Sequence, residues 1–181
     1  MAKLVIAEKP SVARDLARVL GVKGKRDGFM EGEGWLITWC VGHLVGLCEP
    51  HEYNAGWKRW SLSPLPMIPD QFQLKPHPKT RKQFEIVKRL LHRKDVIGVV
   101  NACDAGREGE LIFRYIYLLA GASKPTKRLW ISSMTDEAIS QGFAQLKPGQ
   151  EYDRLWDAAR SRSEADWLVG INATRAMTIR T

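Results

Sequence analysis

Two short apolar runs in this sequence each end in a carboxylate. Lys3–Ala7 (KLVIA) leads into Glu8 and Lys9, and Val96–Cys103 (VIGVVNAC) leads into Asp104-Ala-Gly-Arg107-Glu108-Gly-Glu110. Oxygen ligands with retained waters are what Mg2+ prefers, usually with substrate phosphate completing the shell. Glu8, Asp104 and Glu108 offer such oxygens, while Lys9 and Arg107 beside them offer positive charge to phosphate. The chemistry this set supports is metal-assisted phosphoryl transfer on nucleic acid. Acids at strand ends also serve as ordinary turn and cap residues, and the turn built on Gly106 and Gly109 matches neither the Walker nor the dinucleotide fingerprint.

Other residues leave two readings open. Cys40-x2-His43-x4-Cys48-x2-His51 has zinc-ligand types at close intervals, but Cys40 continues an apolar run, so a buried structural cysteine is expected. His43 follows Gly42 directly after that run and either reaches phosphate or the metal crevice or is an ordinary hydrogen-bonded loop histidine. Trp57-Lys58-Arg59-Trp60 either stacks on unpaired bases or plugs its loop onto the core. Near the end of the chain come Arg160, Arg162, Trp167 and Arg175, with Trp156, Leu168 and Ile171 as core-facing anchors. Trp167 and Arg175 are a little over two helical turns apart and can share one face, either to grip a strand or to pack on another domain.

The elements that must position these residues follow from periodicity. Lys3–Ala7, Trp35–Val41, Val96–Ala102 and Lys127–Ile131 read as strands. Apolar residues at helical spacing predict helices over Ser11–Leu20, Thr80–Arg93, Arg107–Ala120, Thr135–Leu146 and from Tyr152 to about Met177. Thr135 can cap its helix, and Asp136 and Glu137 suit the positive end. Between Gly42 and Pro78 six prolines predict a long irregular excursion. Strands alternating with helices imply right-handed crossovers and a parallel sheet, in whose crevice beyond the strand ends ligands bind.

The 181 residues are 44% hydrophobic and 27% charged, which suits one sizeable folded domain and the start of another. With 28 Lys+Arg against 20 Asp+Glu the net charge is +8, favouring a polyanionic partner. The stretch from Lys75 to Lys94 alone holds eight basic residues and one acid, Glu85, which is a solvated helix face or a nucleic-acid surface. No apolar run approaches the roughly 20 residues of a membrane span. No secretory signal is expected at the N-terminus, and the three scattered cysteines fit reduced thiols in a cytoplasmic protein.

IAEKPSVAR, TWCVGHL, the DAGREGE turn and RSRSEADWLVGINATRA follow one another across essentially the whole chain. Together they resemble bacterial type IA DNA topoisomerases of the topoisomerase III kind. The resemblance implies a TOPRIM domain over residues 1–150, a Rossmann-like α/β fold with a parallel sheet flanked by helices. Residues 151–181 would then open the following helical DNA-binding domain. It further implies Mg2+-dependent cleavage, passage and religation of single-stranded DNA through a tyrosine nucleophile, in the bacterial cytoplasm at the nucleoid. Glu8 would handle the proton of the 3′ hydroxyl beside the metal, and Lys9 would lie by the scissile phosphate. Asp104 and Glu108 correspond to the first and last acids of the D-x-D-x-E motif, and with Glu8 they would be the metal ligands. Trp60, Arg162, Trp167 and Arg175 fall where the family contacts DNA. Gly106 stands in place of the middle acid, which leaves Glu8 and Asp104 as the best ligands and weakens the case for a second ion, so that one or two ions stay open. Tyr53, Tyr115, Tyr117 and Tyr152 lie outside the family's tyrosine motif, so the nucleophile is expected in domains beyond residue 181 and the chain alone is expected to be inactive. The rival expectations are a stand-alone TOPRIM nuclease and a non-catalytic nucleic-acid-binding module.

Overall fold

The structure, a computed structural model, describes residues 1–180. In chain order the strands are β1 (Ala2–Ala7), β2 (Gly24–Arg26), β3 (Phe29–Gly32), β4 (Trp35–Trp39), β5 (Val45–Leu47), β6 (Leu74–Pro76), β7 (Val96–Ala102), β8 (Thr126–Arg128) and β9 (Lys147–Pro148). The helices are α1 (Pro10–Val19), α2 (Pro50–Tyr53), α3 (Arg81–Leu91), α4 (Arg107–Leu119), α5 (Asp136–Ala144) and α6 (Asp153–Arg180).

Continuous apolar runs become the centre of the sheet because both of their faces are covered. Along β1, Leu4 and Ile6 enter one core cluster while Val5 and Ala7 enter the other. The first cluster packs under α3 and α4, and the second under α1 and α5. The sheet order is β2-β3-β4-β1-β7-β8-β9. Its middle, β4-β1-β7-β8, is parallel, as the strand–helix alternation predicts. Three antiparallel strands extend it. β2 and β3 form a hairpin across Asp27-Gly28 that pairs onto β4, and β9 closes the far edge on β8.

Two strands are shorter than predicted. β4 ends at Trp39, although the Cys40 amide still donates to the Ala7 carbonyl at 2.8 Å. β8 ends at Arg128, the last residue with an edge partner (Lys147 of β9), although the Leu129 amide still donates to the Asn101 carbonyl of β7 at 2.9 Å. The proline-rich excursion is less irregular than predicted. β5 and β6 pair antiparallel within it, α2 adds one turn, and Tyr53, Trp57 and Phe72 form a small aromatic cluster.

Helix α6 holds that excursion against the sheet domain. Its first half packs on α4: Trp156 meets Tyr115 edge-on, and the Tyr115 hydroxyl lies 3.1 Å from Ser163 Oγ. Its second half binds the excursion's backbone. Asn172 both accepts from the Met67 amide (2.6 Å) and donates to the Met67 carbonyl (3.0 Å). Trp167 Nε1 donates to the Cys48 carbonyl, and its ring packs edge-on against Tyr53 and Phe72.

Candidate active site

The connections leaving adjacent strands β1 and β7 depart to opposite faces, α1 to one and α4 to the other. Such a switch point opens a crevice beyond the strand ends. Glu8 and Asp104 lie there. Glu8 is buried, and its Oε2 accepts the Asp104 backbone N–H at 3.0 Å. Its other oxygen lies 3.7 Å from Nζ of Lys9, whose side chain is largely exposed. The Asp104 residue itself is exposed.

Both helices begin at this crevice without a side-chain cap. α1 starts at Pro10, where the missing N–H costs nothing, with Lys9 extended as its N-cap. α4 starts after Gly106, also with no capping side chain. Two sets of first-turn N–H groups are thus left open to an anion. Glu108, in the first turn of α4, engages His43 Nε2. His43, in the loop after β4, is thus hydrogen-bonded to a carboxylate at this crevice.

Gly109 is what lets the turn fold so tightly. A Cβ there would lie 2.1 Å from the Asp104 carbonyl oxygen, closer than any atom tolerates. Gly106 differs: its backbone is extended and nothing lies within 4 Å of an added Cβ.

Beneath the turn lies a polar network that sequence reasoning did not find. Arg128 is 1% exposed. Its Nη1 donates to the Cys103 carbonyl (2.6 Å) and to both oxygens of Asn101, and its Nη2 donates to the Asp104 carbonyl (2.6 Å). Nε makes no hydrogen bond but lies 3.3 Å from Glu110 Oε2. Glu110 is buried as well and accepts from Asn101 Nδ2 and Arg114 Nε. Asn101 Oδ1 also takes the Cys103 amide. Burial pulls the Arg128 guanidinium below its usual range, against the opposing pull of Glu110 and other groups. The signal for this network was Arg128, one of two charged residues opening the expected strand KRLWI, and the lone polar Asn101 in VIGVVNA.

The remaining candidates fall in three places. Arg162 lines a cavity of about 160 Å³ with Arg107 and Glu108, beside the carboxylates. Trp167 and Arg175 turn toward the excursion, with Arg175 buried and donating to the Trp57 carbonyl at 2.6 Å. Trp60 is half exposed and lies 5.3 Å from the Arg175 guanidinium. Of the aromatic pair in the excursion, Trp57 packs near Tyr53. Cys40 is fully buried in the core while His43 faces Glu108, so the cysteine–histidine spacing does not gather its residues. A hydrogen bond with Cys40 and burial push the Cys103 thiol well up. Among the described residues, no three His, Cys, Asp or Glu side chains are close enough to form a ready-made metal cage.

Comparison with known proteins agrees with this architecture. The model of the Toprim domain matches residues 3–134, and the chain belongs to that family. It is 55% identical over 181 residues to DNA topoisomerase 3 of Bacillus thuringiensis (strain Al Hakam), covering 99% of this chain and 25% of that protein. It is 56% identical over 176 residues to DNA topoisomerase 3 of Shouchella clausii, covering 97% of this chain and 24% of that one. The chain thus spans about a quarter of the length of these curated relatives. The fold is also similar to that of full-length topoisomerase I from Thermotoga maritima, with a TM-score of 0.61 and 17% identity over 92% of this chain and 24% of that chain.

Proposed function

We propose that this chain is the Toprim-containing N-terminal part of a type IA DNA topoisomerase and supplies the acid–base and phosphate-binding half of its active site. Residues 1–150 form the Toprim unit in this reading, and residues 151–181 open the next, DNA-binding domain. The observation that carries it is the pairing of Glu8 with the Asp104 amide at the switch point, between two uncapped helix N-termini. The relatives named DNA topoisomerase 3 supply the reaction class.

In strand cleavage a tyrosine attacks phosphorus, the bond to the 3′ oxygen breaks, and that oxygen takes up a proton. In religation the 3′ hydroxyl loses it again, and Glu8 is the carrier. Lys9 and Arg107 offset charge on the phosphate, and Arg162 extends that positive surface along the strand. The nucleophile comes from another part of the polypeptide. Burial pushes all four phenols of this chain up, and the hydroxyls of Tyr53 and Tyr117 reach the Gln73 and Lys124 carbonyls.

The residues fit a Mg2+ ion. Such an ion keeps several waters and needs only one or two carboxylates plus substrate phosphate, so a three-ligand protein cage is not required. Glu8 and Asp104 would hold it, with Glu108 released from His43 as a further ligand. When bound, it would neutralise charge on the phosphate. Trp60, Trp167 and Arg175 complete the proposed contact to single-stranded DNA, the latter two by shaping the excursion that carries Trp60. The setting is the bacterial cytoplasm at the nucleoid, and no described helix is long and apolar enough to cross a membrane.

The test incubates the chain with supercoiled plasmid and with single-stranded DNA, with and without Mg2+, beside Glu8→Gln. The chain alone is expected to bind DNA but neither nick nor relax it. Joined to the C-terminal remainder of a topoisomerase 3, it is expected to relax DNA, and Glu8→Gln to lower that rate roughly a hundredfold or more. Mg2+-dependent nicking by the chain alone, lost in Glu8→Gln, would establish a stand-alone nuclease instead. Binding unaffected by metal and by Asp104→Asn, with no relaxation after joining, would leave a binding module.

A further inference from the structure

The turn that carries Asp104 has cavities of opposite character on its two sides. On the α6 side lies the charged cavity with Arg107, Glu108 and Arg162. On the α1 side lies a larger one of about 340 Å³, to which Asp104 itself contributes. Its floor is aliphatic: Leu16 and Leu129 are almost completely buried, and Val12 is half buried. Its rim, Ser132 and Ser133, is exposed and carries hydroxyls. A volume of this order suits a ring-sized organic group, and pockets of this type are apolar with a few placed polar atoms.

We propose that this cavity is a nucleobase subsite, taking the base of a nucleotide next to the phosphate handled by Glu8 and Asp104. The inference rests on the nucleic-acid reading above and adds to it a base-binding position. Three features favour a base over a charged ligand. Apart from Asp104 the lining holds no ionised side chain, so no cation there offsets the charge of a phosphate. The flat faces of a base can lie on the aliphatic floor, and its polar edge can meet the two serine hydroxyls. The wall is shared with the catalytic turn, so a nucleotide whose phosphate sits at Asp104 carries its base within one residue's reach of the opening. A strand would then run with its phosphates toward Arg107 and Arg162 and one base turned to the other side of the turn.

The experiment measures binding of short single-stranded oligonucleotides in Mg2+ buffer, with one abasic nucleotide moved stepwise along the strand. Val12→Phe fills the cavity from α1. In the unaltered chain, one abasic position is expected to weaken binding roughly tenfold, the scale for removing one buried ring from an apolar site. In Val12→Phe the fully based strand is expected to bind about as weakly, and the abasic substitution to make no further difference. In parallel, 4-thiothymidine at that position is irradiated and the cross-linked peptide mapped, which does not depend on any variant folding. Cross-links within 12–16, 102–105 or 129–134 support the subsite, and cross-links elsewhere overturn it. Salt-sensitive binding with no sensitive abasic position overturns the subsite while leaving the nucleic-acid reading standing. Failure to bind any oligonucleotide removes both.

Discussion

Glu8 and Asp104 meet only because one backbone carbonyl is allowed very close to a glycine. Gly109→Ala places a methyl 2.1 Å from the Asp104 carbonyl oxygen, and backbone cannot yield as a side chain can. This substitution is expected to cost about 2 kcal/mol and to disturb the Asp104 amide, checked by urea unfolding and by the amide's NMR shift. Gly106→Asp is the contrast: with extended backbone and open space, it is expected to leave stability unchanged and to tighten Mn2+ binding in calorimetry. Arg128 acts from below, clamping the carbonyls of Cys103 and Asp104 while facing Glu110. Arg128→Met removes the clamp and leaves buried carbonyls open, at a cost of about 3–5 kcal/mol. Arg128→Lys is not expected to rescue it, since an ammonium cannot reach several carbonyls in one plane as a guanidinium does. Equal stability of Arg128→Lys and the parent protein in chemical denaturation would contradict this.

At the scale of elements, the excursion is held at both ends. At one end His77 packs on Gly46, and its amide donates to the Leu44 carbonyl at the end of the β5–β6 ribbon. Burial, with smaller contributions from His43 and Lys75, lowers the His77 pKa below its usual 6.5. The unfolded segment therefore binds a proton more readily than the folded one. The ribbon's stability should be complete above pH 6.5 and decline as pH falls from there through the lower folded value. Faster amide exchange at Val45–Leu47 near pH 5 than expected from intrinsic rates, absent in His77→Gln, is the measurement. At the other end Asn172 pairs with both backbone groups of Met67. Asn172→Ala is expected to cost about 1–3 kcal/mol, the penalty for leaving a part-buried amide and carbonyl without partners. Proteolysis within 42–78 should become faster, while the β1–β7 amides stay protected.

For the molecule as a whole, the sheet is the rigid part and α6 is the strap. The parallel centre β4-β1-β7-β8 is covered on both faces, so the strand ends that carry Glu8 and Asp104 are set by packing rather than by loop conformation. α6 spans from α4 to the excursion, and its side chains Trp167, Asn172 and Arg175 all end on backbone carbonyls or amides there. The net charge of +8 makes the proposed binding to a polyanion dependent on salt. Affinity for a single-stranded oligonucleotide should fall several-fold between 50 and 200 mM salt, roughly as a few phosphate contacts require. A salt-independent affinity would argue against a phosphate-centred interface.

Much of this architecture is written in local pattern. Apolar runs mark the central strands because burial on both faces demands it, 3.6-residue periodicity marks the helices, and acids directly after two runs mark the crevice. The β2–β3 hairpin was not anticipated: Asp27-Gly28 is a turn signal, but the runs on either side of it are short and weakly apolar. Tertiary structure decided the rest, because it depends on partners distant in sequence. Arg128 finds the Asp104 carbonyl across 24 positions, His43 finds Glu108 across 65, and Arg175 finds the excursion across 118. Spacing placed Trp167 and Arg175 on one helical side, but only packing determined that both side chains end on the protein's own backbone. Residue type limits what a side chain can bond, while the fold selects which bond it makes, since a buried donor must take the acceptor that packing brings to it.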